Sequence, residues 1–223
     1  MPNVHPTEEL LNDYAAGSLS EGVSLAIATH IAMCPQCQAH VQQSEAIGGA
    51  MVMSAVETPV GDHVLENVLA QMFHLESKPT SQPVLPGDLR NQDIILPNPL
   101  RDYLGAKTLR ELDYLNWTTL PGYSEYVASD RSDETKVRLL RVAAGMTLPQ
   151  HTHEGLELTL ILKGSFSDHN GTCGVGDLSV ADPATDHAPS VDRTEECICL
   201  AVTDAPLRLT GRFGRMLNPF LDL

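Results

Sequence analysis

Apolar residues in the first third of the chain recur at helical intervals. Leu10, Leu11 and Tyr14 form one side of a short helix over residues 7–16, with Thr7 able to cap its start and Gly17 to end it. Ser20 and Glu21 open a second helix in which Val23, Ala26, Ile27 and His30 share a face. Pro35 starts a third, along which Cys37, Val41, Ser44, Ile47 and Met51 keep helical spacing, and Gly48 with Gly49 weakens it near its end. After the break at residues 57–61, Asp62 caps a fourth helix with Leu65, Val68, Leu69, Met72 and Leu75 on one stripe. Prolines 79, 83, 86, 97 and 99 then interrupt a stretch without period, which reads as an extended linker. Beyond it the pattern changes to strands, at 123–128, 136–142, 156–166, 178–180 and 197–202, separated by turn residues. Many short strands without long helices imply a sandwich or a barrel. The expected architecture is therefore α+β and multidomain: a small all-α domain over residues 1–76, a Pro-rich linker over 77–99 and an all-β domain over 100–223.

The fourth helix raises a question of its own. An amphipathic stripe is usually core, yet three short helices offer little core to bury it against. Leu65, Val68, Leu69 and Met72 are for that reason candidate partner-binding residues, with core burial and a partner's groove equally open.

Charge narrows the partners. The formal net charge is −15, and residues 1–76 hold nine carboxylates with no lysine or arginine. Direct binding to nucleic acid needs basic clusters that are absent here, whereas an acidic surface suits covering a basic protein. Five cysteines, an odd number, without a basic and apolar leader pattern, fit a reducing compartment, and a cytoplasmic protein is expected. The most apolar windows, 23–33 and 46–56, fall short of the roughly 20 residues of a membrane span.

Two clusters carry chemistry. In THIAMCPQCQ, His30, Cys34 and Cys37 stand at offsets of four and seven, so their side chains share one side of the local turns while Pro35 divides them between two helices. Imidazole plus two thiolates is a zinc donor set lacking one ligand. Cys37 would lie among unpaired N-terminal amides, which favour its thiolate. The second cluster lies between Gly145 and Gly164, where His151, His153 and Glu157 share strand parity and Leu156, Leu158, Leu160 and Leu162 face the other way. The leucines would pack between sheets while two imidazoles and a carboxylate converge on zinc or another divalent transition metal, with His187 the best fourth ligand. Cys197 and Cys199 lie on one strand face as possible redox residues, although packing is the simpler reading, and Cys173 lies in a turn where more exposure is expected.

The spacing from Gly145 through His151, His153 and Glu157 to Gly164 resembles the first motif of the cupin superfamily, which implies a double-stranded β-barrel. With His5, His30, Cys34 and Cys37 on an acidic helical module ahead of it, and with HTHEGLE, CICL and TDAPLR at 151–157, 197–200 and 203–208, nearly the whole chain resembles the ChrR-type zinc-binding anti-sigma factors. That resemblance implies structural zinc at His5, His30, Cys34 and Cys37, with His40 in reserve for His5. It also implies zinc at His151, His153, Glu157 and His187. The implied function is inhibition of an extracytoplasmic-function sigma factor, released under singlet oxygen or related oxidants. The rival is a metal-dependent cupin dioxygenase acting on a small molecule; a zinc-finger DNA binder would need basic residues that residues 1–76 do not supply.

Overall fold

The first helix, α1 (Glu8–Ala16), starts where Thr7 Oγ1 accepts the Leu10 N–H at 3.3 Å and stops at Gly17, whose φ of +69° is cheap only without a Cβ. The computed structural model describes residues 1–61, 63–74, 94–130 and 135–211. Helix α2 (Glu21–Ile31) is followed, after a turn at Ala32 and Met33, by α3 (Pro35–Ser54), with proline in its first turn as expected. The paired glycines do not end α3, which continues to Ser54. Only Cys37 and Val41 of α3 are buried; Ile47 and Met51 on the same stripe stand 62% and 68% exposed. Helix α4 (His63–His74) follows, and the expected cap at Asp62 and the last stripe position, Leu75, lie outside the described residues.

The first part of the expected linker, 77–93, also lies outside the described residues, but its last part is no linker. Leu96 and Leu100 are buried, Ile95 bridges Thr108, and α5 (Asn98–Leu104) packs against α2. Twelve strands follow among the described residues: β1 (Thr118–Leu120), β2 (Tyr123–Asp130), β3 (Lys136–Val142), β4 (His151–His153), β5 (Glu157–Lys163), β6 (Phe166–Asp168), β7 (Gly171–Cys173), β8 (Leu178–Ala181), β9 (Asp186–His187), β10 (Ser190–Val191), β11 (Cys197–Thr203) and β12 (Leu207–Leu209). They form a six-stranded sheet in the order β1-β2-β3-β11-β5-β8 and two three-stranded sheets, β10-β6-β7 and β12-β4-β9.

Strand alternation sorts side chains into two cores. Leu140 and Val142 of β3, Ile161 of β5 and Cys197, Cys199 and Ala201 of β11 point into the barrel. Val137, Leu139, Leu158, Leu160, Leu162 and Leu200 point outward into a cluster shared with Leu11, Ile27, Leu100 and Leu112. The leucine face of β5 is thus covered by helices, and not by a second sheet as the alternation alone suggested. Helix α2 lies against that face so closely that a Cβ on Gly22 would stand 2.4 Å from Thr135 Oγ1 and 2.9 Å from Val137 Cγ2. One apolar core therefore joins the helices to the barrel. No helix among the described residues is long and apolar enough to cross a membrane.

Candidate metal centres

The end of α2, the turn after it and the first turn of α3 bring His30, Cys34 and Cys37 together, and the segment before α1 adds His5. His30 Nε2 lies 3.3 Å from Cys37 Sγ, and His5 Nδ1 lies 3.4 Å from Cys34 Sγ and 3.5 Å from Cys37 Sγ. Bonds of about 2.0 Å to nitrogen and 2.3 Å to sulfur give a tetrahedron with edges of about 3.3–3.8 Å, so these donors fit zinc. His40 is elsewhere, with Nε2 3.1 Å from Asn12 Oδ1.

The helix N-terminus does not make Cys37 a thiolate. Burial, and then the neighbouring Cys34 sulfur, push its thiol up to about 12, so the ionised form needs a cation beside it. Burial likewise lowers the His30 pKa, which keeps the ring neutral and its Nε2 lone pair available.

What holds these ligands comes from the barrel. His30 Nδ1 donates to the Gly176 carbonyl at 2.8 Å, which leaves Nε2 to face the sulfurs. Asp177 Oδ1 accepts the N–H groups of Asn3 and Val4 at 2.6 and 3.0 Å, its Oδ2 accepts from Gly174 N at 2.8 Å, and Leu178 N donates to the Val4 carbonyl at 3.1 Å. Residues 3–5 are thereby laid along the start of β8, and His5 is aimed at the two sulfurs. Burial pushes the Asp177 carboxyl up, but the N–H groups of Gly174, Val4 and Asn3 more than offset it and hold it below the usual carboxylate range.

The second cluster sits at the mouth of the barrel. Strand β4 carries His151 and His153 on one face, and its antiparallel partner β9 sets His187 directly opposite His151. Two imidazoles turn Nδ1 outward to an acceptor, His151 to the Pro149 carbonyl at 2.8 Å and His187 to Asp168 Oδ2 at 2.7 Å, while His153 Nδ1 lies 3.2 Å from Glu157 Oε2 outside hydrogen-bond geometry. The Nε2 atoms converge, those of His153 and His187 only 3.2 Å apart. With the Nδ1 positions protonated, two lone pairs face one another, an arrangement that a divalent cation relieves. The three buried histidines therefore fit a metal ion.

Glu157 was expected beside them as a ligand. Its Oε1 accepts from Thr159 Oγ1 at 2.9 Å and its Oε2 faces the outward nitrogen of His153, so its carboxylate stands behind the imidazole and outside the cluster of three. Burial pushes the carboxyl up, but His153, Arg138 and His151 together outweigh it and hold Glu157 below the usual carboxylate range. Asp168, on a hairpin with no period to mark it, accepts from His187 and was missed in the sequence.

Behind the imidazoles the barrel encloses a cavity of about 390 Å3 with mainly apolar walls, including Leu140, Phe166 and Val191. Cys197 and Cys199 both line it. A contact with Cys197 and burial push the Cys199 thiol well above its ordinary value, which makes it a slow nucleophile. Cys173 is buried, contrary to expectation, and burial pushes its thiol up to about 11.

Residues 106–206 match the family described as the ChrR cupin-like domain, and residues 6–38 match a zinc-finger family. The chain is 37% identical over 219 residues to the anti-sigma-E factor ChrR of Cereibacter sphaeroides, covering 98% of both chains. It also resembles the crystal structure of Rhodobacter sphaeroides SigE in complex with the anti-sigma ChrR, with a TM-score of 0.73, 35% identity, and coverage of 92% of this chain and 100% of that one. A helical zinc-finger region, a cupin-like barrel and an end-to-end relative agree: the chain belongs to the ChrR family of anti-sigma factors.

Proposed function

We propose that this chain binds an extracytoplasmic-function sigma factor through its acidic helical domain, keeps it from core polymerase in the cytoplasm, and releases it under oxidative stress such as singlet oxygen. The observation that carries this reading is an uncovered apolar surface on a domain otherwise folded around four metal donors. Leu65, Val68, Leu69 and Met72 on α4 are 66%, 48%, 43% and 60% exposed, and Ile47 and Met51 are bare on α3. Monomeric surfaces rarely leave such a run bare. The nine carboxylates of residues 1–76, without a lysine or arginine among them, suit a basic partner. The relative crystallised with SigE supplies the class of partner.

In this reading His5, His30, Cys34 and Cys37 hold a zinc ion that sets the angle between α2 and α3. His151, His153 and His187 hold zinc or another divalent metal, with Glu157 either orienting His153 or moving onto the metal as a fourth ligand. A metal at either centre supplies charge that fixes its ligands in place. Release requires the complex to weaken, and a thousandfold loss corresponds to about 4 kcal/mol, more than an exposed ion pair provides and within reach of repacking an interface. A route for it is present. His187 leans on Asp168 of β6, Asp168 pairs with Gly171 of β7, and the turn after β7 carries Gly176 and Asp177, which hold His30 and residues 3–4. Cys197 and Cys199 line the same cavity as His151 and His187, and their oxidation is one way to disturb this input.

The chain acts as a regulator and not as a dioxygenase. The test is transcription by purified polymerase with an extracytoplasmic-function sigma factor: the zinc-loaded chain is expected to suppress it, and an oxidant to restore it. A chain ending at residue 86 is expected to inhibit without responding to oxidant. Substrate-dependent oxygen uptake by the iron-loaded chain, without inhibition, would favour the enzyme instead.

A further inference from the structure

Arg138 lies in the middle of β3 with its side chain inside the barrel, where it lines the cavity and is 3% exposed. A buried guanidinium normally has its N–H groups matched by carboxylates or carbonyls. This one does not. Among the described residues its Nε has no hydrogen-bond partner, and its one ion pair, from Nη1 to Glu125 Oε2, is long at 3.8 Å. Among the described residues neither nearby carboxylate hydrogen-bonds it. Glu125 Oε2 accepts from the Tyr123 hydroxyl at 3.2 Å, while Glu157 accepts from Thr159 through Oε1 and holds Oε2, without a hydrogen bond, 3.2 Å from His153 Nδ1.

The space beside Arg138 is built into the ladder. Ala201 of β11 pairs with Arg138 on one side and Thr159 on the other, so the smallest side chain of the strand separates the guanidinium from the polar end of β5. At the next levels inward Leu140, Cys199 and Ile161 replace them, and the walls become apolar toward Val142 and Phe166. The cavity is therefore polarised: a cation and the metal-binding imidazoles at one end, a hydrocarbon lining at the other. Its volume of about 390 Å3 falls in the ~300–1,000 Å3 range of small-molecule pockets.

From these contacts we infer that the barrel is a receptor for an amphipathic carboxylate, a medium-chain aliphatic acid whose carboxylate pairs with Arg138 and whose tail fills the apolar end. The carboxylate supplies the acceptor oxygens that the guanidinium lacks, in a bidentate geometry that suits it. A neutral molecule without acceptor oxygens leaves the Arg138 Nε unpaired. The inference deepens the reading of the barrel as an input domain, but it concerns binding alone, so a failure of sigma inhibition leaves its test intact.

The test is calorimetric titration of the full-length, zinc-loaded chain with octanoate and, in parallel, octanol. Saturable binding of one octanoate per chain is expected, with octanol at least about tenfold weaker. Arg138→Gln is expected to abolish the preference for octanoate, and Arg138→Lys to keep part of it. Should Arg138→Gln fail to fold, the octanoate and octanol comparison on the native chain decides. No octanoate binding, equal affinity for octanol, or an unchanged preference in a folded Arg138→Gln chain would each overturn the inference.

Discussion

His30 donates a hydrogen bond through Nδ1 to the carbonyl of Gly176, 2.8 Å away across 146 residues of sequence. A candidate zinc ligand of the helical domain is thus oriented by the main chain of the barrel. The turn that supplies the carbonyl is tight: Gly176 has a φ of +89°, and a Cβ there would stand 3.0 Å from Pro2 and 3.4 Å from Met33. Gly176→Ala should therefore strain the turn by about 1–3 kcal/mol and push the N-terminal segment away. The expected result is faster zinc loss to a chromogenic chelator, with the barrel's circular dichroism unchanged.

Asp177 gives the same seam a pH signature. Its folded pKa lies below the ordinary value of 3.8, so the stabilisation it contributes is present above that value and is lost as pH falls through the depressed one. Asp177→Asn keeps the shape and removes the titration. The difference in thermal midpoint between native chain and variant should be constant above about pH 5 and should vanish at lower pH. A difference that grows on acidification would show that the carboxylate is not what holds residues 3 and 4.

In the barrel, Asp168→Ala removes the acceptor that fixes the His187 ring. Loss of such a partner typically costs about 10–100-fold in metal affinity. Competition with a fluorescent chelator should show that loss for one of two bound metals, the helical site keeping its own.

The candidate site was only partly legible in the sequence, and the misses have physical causes. Offsets of four and seven were enough to bring His30, Cys34 and Cys37 together, and alternation was enough to separate the two faces of β5, because both are local geometry. Burial is not local. It raises the Cys37 thiol against the pull of the helix N-terminus, hides Cys173, and puts helices over Leu158, Leu160 and Leu162. Glu157 shares parity with the histidines, as expected, and its Oε2 lies 3.2 Å from the Nδ1 of His153. Asp177 and Arg138 had no pattern to betray them; each matters through a partner far away in the chain.

The exposed stripe of α4 separates binding from folding. Leu65→Asp with Leu69→Asp should change the thermal midpoint little, since exposed substitutions usually stay within about 0.5 kcal/mol each, while weakening a sigma-factor complex by 2 kcal/mol or more, about thirtyfold. Paired calorimetry and affinity measurements check it.

The decisive titration is of the zinc-loaded full-length chain against the extracytoplasmic-function sigma factors of its own cell, beside the chain carrying Cys34→Ser and Cys37→Ser. One tight, stoichiometric complex is expected, present with zinc and lost without the two sulfurs. Failure of every such sigma factor to bind, or equal binding by the zinc-less chain, contradicts a helical domain that needs its metal to hold a partner.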